Sequence, residues 1–331
     1  MKTFLKWIAG IILVLFVAYA AGPKPHKPDF KTQEINLPAS IIDLEKQIND
    51  GEKSVKGIKP DNQARIVWAD TSKKEKTKVA ILYLHGLLAS QGEGAPVHTD
   101  LAKKYNANLY LARLPEHGID RGDSSLINLT AEKLESSAER DLEIAKKLGD
   151  EVVVFGTSTG GTLALFLTSR HPEIKALVLY SPCVKLYNPA STMLNKPWGL
   201  QIGRIVAGGP VMRDSALSKE HAQYWTLNYR VEGIVALVNL YSNTMNQDVF
   251  SKVKCPVFMG YFYKNEDVQD KTASVAAMLK MFDELGTPAA LKRKTAFPEA
   301  GAHVIASPIR SKDWQGVERE TDKFLTEIVN L

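Results

Sequence analysis

Residues 151–167, EVVVFGTSTGGTLALFL, pass from strand-forming to helix-forming residues through a knot of Gly, Thr and Ser. Both flanks are apolar, so the seam joins a strand and a helix that are buried together. The chain places its one Gly-x-Ser-x-Gly, Gly156 to Gly160, at this seam. Composition alone yields that pattern roughly one time in ten in a chain of this length, so its meaning rests on context. Between a strand and a helix the pattern reads as a turn that presents one hydroxyl. The bend forces the serine into a strained backbone, and its neighbours two before and two after must lack colliding side chains. Gly156 and Gly160 meet that need, Gly161 lets the helix approach the sheet, and Ser158 points outward at the carboxyl edge of the sheet. The helix N-terminus behind it favours developing negative charge.

The rest of the chain repeats the alternation. Runs at 64–70, 79–86, 108–115, 151–155, 176–182, 256–263 and 290–298 read as strands. Helical spacing puts Leu134, Ala138, Leu142, Ala145 and Leu148 on one face of a helix over 130–150, and further helices are expected around 39–50, at 160–170, at 274–286 and after Asp313. This pattern predicts an α/β fold: a mostly parallel central sheet, right-handed crossovers, and helices on both faces. The rhythm breaks after the strand at 176–182. Residues 184–252 hold no clear buried strand, but do hold Pro197, Trp198, an AGGP interruption and two amphipathic stretches bearing Trp225, Tyr229, Leu237, Leu240 and Tyr241. They read as a helical cap inserted between a first core part, 61–183, and a second, 253–331.

The N-terminus reads as a separate device. MKTFLK carries two lysines, WIAGIILVLFVAYAAG is 16 residues without a charge, and PKPHKPDF follows. Residues 1–22 fit a signal peptide with a small-residue cleavage site at AYA, 18–20. They equally fit an N-terminal anchor, since Phe4 and Leu5, with Lys6 snorkelling, extend the run to membrane-spanning length. Residues 23–60 form a linker and N-terminal extension. Either reading exports the remainder to a periplasmic or other extracytoplasmic space, and the anchor reading adds membrane association through residues 4–22. The net charge of +5 is scattered among acids with no basic stripe, so no nucleic-acid partner is expected. Cys183 and Cys255 lack metal-site spacing. One follows a strand run and the other precedes one, which sets them at opposite edges of the sheet and predicts two free thiols.

A serine needs a base to become a nucleophile. Among seven histidines, His303 in FPEAGAHVIASP lies between the last strand and the last helix, after the candidate acids. His26 lies in the linker, His98 in a polar stretch, and His171 and His221 in helix-end or cap sequence that reads as solvated. His85 and His117 precede glycines and read as structural. The orienting acid belongs to YKNEDVQDKTAS. Counting from the strand end favours Glu266 or Asp267. Counting back from the helix at 274 favours Asp270, the preferred candidate. An oxyanion needs two N–H donors. They are expected from Thr159, directly after the serine, and from Leu87 in the loop after LYLHG.

LYLHGLLAS, EHG, GTSTGG, the acids at 266–270 and GAH together resemble the α/β-hydrolase family, nearest its monoacylglycerol-lipase and carboxylesterase branch, over about residues 60–331. EHG stands where GHG is more usual, and the acid segment is longer than the usual compact turn. The resemblance implies a serine hydrolase that cleaves carboxylic esters through a Ser158–His303–Asp270 triad and an acyl-enzyme, with no metal or organic cofactor. The partner would be a small-molecule ester with an apolar group, matched by the Trp, Tyr, Leu and Met of the cap. A peptidase or amidase on the same fold and a non-catalytic binding protein are the alternatives.

Overall fold

The apolar runs alternate between two cores. Ala80, Leu82, Leu84, Val152, Val154 and Leu177 face one; Val79, Ile81, Tyr83, Val153, Phe155 and Val178 face the other. Strands covered on both faces need no polar side and so read as unbroken apolar stretches. The computed structural model describes residues 2–31 and 34–331; Met1 and residues 32–33, in the expected leader and linker, lie outside them.

In chain order the elements are α1 (Lys2–Ala20), α2 (Ile41–Ser54), β1 (Arg65–Val67), β2 (Thr77–Leu84), α3 (Val97–Lys104), β3 (Asn108–Leu111), α4 (Ala131–Leu148), β4 (Gly149–Thr157), α5 (Thr159–Arg170) and β5 (Ala176–Tyr180). An insertion follows with α6 (Gly199–Val206), β6 (Val211–Arg213), α7 (Lys219–Tyr224), β7 (Asn228–Arg230), α8 (Val231–Thr244) and α9 (Gln247–Phe250). The chain then returns through β8 (Val257–Tyr261), α10 (Val275–Glu284), β9 (Lys292–Ala296) and α11 (Trp314–Phe324).

The main sheet has seven strands in the order β1-β3-β2-β4-β5-β8-β9. All neighbours are parallel except β1, which runs antiparallel to β3. Leu82, Val154, Leu177 and Val257 stand in one row across the centre. From β2 the chain crosses outward to β3; from β4 it crosses the other way. The loops after β2 and β4 therefore diverge and leave a crevice at the carboxyl ends of the strands, the place where such sheets bind ligands. One face packs on α4, α5 and α10, and the other on α3 and α11. Ser40, Thr130 and Ser274 cap α2, α4 and α10 by accepting from the amide three residues on. The expected apolar face of α4, Leu134 to Leu148, is wholly buried.

The insertion is helical, as its amphipathic stretches imply, but β6 and β7 pair as a short antiparallel ribbon that the sequence reading lacked. VMR and NYR are too short and too polar to make a period-two pattern. Backbone bonds tie the insertion to the core: Thr226 N–H donates to the Leu88 carbonyl at 2.7 Å and Arg230 N–H to that of Ser125 at 2.9 Å. Lys59 Nζ donates to the carbonyls of Ala222 and Trp225. The cysteines are free, at opposite ends of the neighbouring strands β5 and β8. Helix α1 is apolar and exposed, and Thr3–Ala20 is long enough to cross a membrane by length and composition. Its end meets the insertion, where Trp198 Nε1 donates to Ala18 O at 3.0 Å.

Candidate functional site

Ser158 sits alone between β4 and α5 at φ 52°, ψ −114°, in backbone space that costs a non-glycine residue about 1–3 kcal/mol. The surroundings hold it there. Its N–H donates to Tyr180 O at 3.0 Å, and its carbonyl accepts from Cys183 N–H at 3.0 Å and Thr162 N–H at 3.1 Å. A Cβ on Gly156 would stand 2.6 Å from the Gly160 carbonyl, one on Gly160 would fall onto the Leu84 carbonyl, and one on Gly161 would stand 2.8 Å from Pro182 Cβ. The strain is thus locked in by chain packing on three sides. Ser158 borders a cavity of about 490 Å³ under the insertion.

His303, on the loop after β9, borders the same cavity. Its Nδ1 lies 2.5 Å from Oδ2 of Asp270. Asp270 is 1% exposed, and its other oxygen accepts from the amides of Thr272 and Ala273 at 2.8 and 3.0 Å. With Nδ1 on the carboxylate, Nε2 is the free ring nitrogen; it is buried and has no hydrogen-bond partner among the described residues. Burial lowers the basicity of the imidazole, but Asp270 outweighs it and the pKa is raised above the usual value.

The two other acid candidates lie elsewhere. Tyr263 and Gln269 bridge to each other, so the chain makes a closed excursion after β8 and returns Asp270 to the sheet edge, where its N–H bonds Phe262 O. Glu266 is exposed on that excursion, accepting from Tyr263 Oη and Gln269 Nε2, and Asp267 is exposed beside it. Counting from the strand end reaches residues on the detour itself, while counting back from the helix reaches the carboxylate that meets His303.

The loop after β2 also lines the cavity. Leu87 borders the cavity, and its N–H takes no hydrogen bond among the described residues. Thr159 provides the first N–H of α5 and is fully buried. His85 holds this loop: its Nε2 accepts from Leu114 N–H at 3.0 Å, so its Nδ1 carries the proton and donates to Gly86 O at 2.9 Å. Burial, reinforced by His117, keeps it neutral. Among the described residues no cluster of three or more His, Cys, Asp or Glu is placed to hold a metal ion.

No protein-family model matches the sequence, and no curated protein matches it. Solved structures do match. One belongs to work on the metagenome-derived lipolytic enzymes LipS and LipT (TM-score 0.65, 14% identity, 82% of this chain and 99% of that one). Another is a soluble variant of monoglyceride lipase from Saccharomyces cerevisiae with a substrate analogue (0.58, 16%, 92% and 98%). A third is the enol-lactonase of Burkholderia xenovorans LB400 (0.53, 14%, 80% and 96%). This chain has the α/β-hydrolase fold. An α/β-hydrolase fold brings the loops after β2, β4, β8 and β9 to one sheet edge, and here they carry Leu87, Ser158, Asp270 and His303.

Three cavity residues were not legible as such. Glu93, 2% exposed, accepts the Gly86 N–H with Oε1. Arg310, from the segment before α11, reaches the cavity and donates to His221 Nε2 at 3.1 Å. His221 itself, read as solvated, is 5% exposed and stacks on Trp225 with ring centroids 5.0 Å apart. SQGEGAP and SKEHAQY look like polar turn and surface helix. Only the enclosing insertion and the fold-back onto Gly86 bury them. His98, also read as polar surroundings, is fully buried with Nε2 on Gln91 O at 2.9 Å, because α3 packs it against Tyr83.

Proposed function

We propose that the protein is a serine hydrolase of carboxylic esters, with an acyl-enzyme on Ser158. One observation carries this: an imidazole held by a buried carboxylate, its Nε2 unpartnered, in the same cavity as a serine in strained backbone at the start of a helix. His303 takes the Ser158 proton as the hydroxyl attacks the ester carbonyl, then gives it to the leaving alcohol. Asp270 keeps the proton on Nδ1 and stabilises the imidazolium. The amides of Leu87 and Thr159 bind the oxyanion, and the helix N-terminus adds to them. Water activated by His303 then releases the acid. The insertion contributes Leu217, Trp225, Ile234 and Leu237 to the cavity, which suits an apolar acyl or alcohol group. The structural neighbours include lipolytic enzymes, which supports the same reading. In it, residues 61–183 and 253–331 form the core, 184–252 the cap, 23–60 the linker, and α1 either an export signal or a membrane anchor.

The test is covalent labelling of folded protein by a fluorophosphonate probe. Labelling lost in Ser158→Ala supports the reading; unlabelled wild type overturns it. Turnover of p-nitrophenyl esters but not aminoacyl nitroanilides then separates an esterase from a peptidase.

A further inference from the structure

Glu93 has no part in the scheme above, yet it stands inside the site. It lies in the loop between β2 and α3, is 2% exposed, and borders the cavity together with Ser158 and His303. Gly86 shows how close it comes. A Cβ there would meet Glu93 Oε1 at 2.8 Å, Glu93 Oε2 at 3.2 Å and Ser158 Cβ at 3.0 Å. The carboxyl and the serine side chain thus converge over the same glycine, the residue before the Leu87 amide. Oε1 accepts the Gly86 N–H, while Oε2 takes no hydrogen bond among the described residues. A carboxylate left with one amide and no ion pair at a buried site is poorly solvated, whereas a carboxylic acid there needs only one partner for its O–H.

The groups facing it come from every side. Tyr83 approaches from β2, its phenol kept neutral by burial with Glu93 adding to the effect. His303 approaches from the loop after β9 and Arg310 from the segment before α11, and both favour ionisation. Arg310 is itself engaged by His221 of the insertion, beside Asp214. Burial outweighs these cations and pushes the Glu93 carboxyl up to about 8.

We propose that Glu93 is a positioning acid of this site: neutral, it holds the Gly86–Leu87 loop by Oε1 and offers its O–H to the cavity beside Ser158, and its ionisation shuts the site. A carboxylate there would face the developing oxyanion and would hold the proton on His303, and both effects oppose attack. The protonated state is therefore the working one, as for other buried acids that must stay neutral near developing negative charge.

This inference rests on the serine-hydrolase reading, and its test keeps the two apart. Wild type and Glu93→Gln are first labelled with a fluorophosphonate, then kcat/KM for p-nitrophenyl butyrate is followed from about pH 5 to about pH 10. Wild type is expected to lose activity on the alkaline side with an apparent pKa near 8, about tenfold per pH unit beyond it, while Glu93→Gln, neutral at every pH, holds its plateau. A wild type without that limb, or a Glu93→Gln variant that keeps it, overturns the proposal while labelling leaves the hydrolase reading standing. Wild type that does not label overturns both. If Glu93→Gln does not fold, Glu93→Asp serves: a shifted limb supports the proposal, and an unmoved one overturns it. A residue that served only packing would leave the limb where it is.

Discussion

The floor and the roof of the cavity are built by different means. On the floor, two of the three groups in the proposed mechanism, Ser158 and Asp270, are fixed by main chain, and Asp270 in turn holds His303. Ser158 is pinned by three backbone bonds, Asp270 by two amides on one oxygen, and the glycines around Ser158 leave no room for a Cβ. The roof is an insertion held mainly by side-chain packing and a few backbone links. It also carries exposed apolar residues such as Ile205, at 79%, and Val206, at 83%. Under the proposed mechanism, a floor set by backbone would admit almost no substitution without loss of chemistry. A roof set by side chains can change what enters while leaving the chemistry intact.

The largest expected effects test the floor. Ser158→Ala or His303→Ala is expected to lower kcat by about six orders of magnitude, with folding unchanged by circular dichroism. Asp270→Asn is expected to cost about four orders, because the imidazole loses its orienting carboxylate. Glu266→Gln and Asp267→Asn should stay near wild type, and an equal loss at Glu266 would break the assignment. On the roof, Leu237→Ala should lower kcat/KM about tenfold for p-nitrophenyl octanoate and far less for the acetate. Equal losses on both esters would make the cap part of the chemistry.

Smaller effects sharpen the contrast. Burial pushes the Glu93 carboxyl up to about 8 in the folded chain, from an ordinary value near 4.5. Between those values the unfolded state has released the proton and the folded state has not, so stability falls as pH rises and levels off above 8. Thermal melts of Glu93→Gln should lack that slope. The smallest effect belongs to the pair between roof and floor, Arg213 with Asp123, bidentate at 2.6 and 2.7 Å but more than half exposed. Arg213→Ala should leave the melting temperature unchanged within error.

The same division governs what could be read from the sequence. Gly156, Gly160 and Ser158 are legible because the backbone dictates their residue types, and the buried strands because two covered faces leave no polar register. His303 is legible by its order after an acid. Asp270 was legible only from the helix side, since its place depends on a seven-residue excursion, Tyr263–Gln269, that no local pattern announces. Glu93, His221 and Arg310 become site residues only through tertiary enclosure. The β6–β7 ribbon was missed because three-residue strands cannot show a period, and β1, read as a strand at 64–70, gave no sign of its antiparallel direction, which only its pairing with β3 sets.

The bond from Thr226 N–H to the carbonyl of Leu88 joins roof to floor through main chain alone. Leu88 directly follows the Leu87 amide and has a left-handed backbone at φ 68°. A displacement of the insertion at Thr226 therefore pulls on the turn that carries that amide. In the proposed mechanism that turn supplies one oxyanion donor, so the bond is a main-chain lever between the insertion and the proposed anion site. Since any residue but proline can supply the N–H, an exchanged lid module could keep this lever while sharing none of the present side chains.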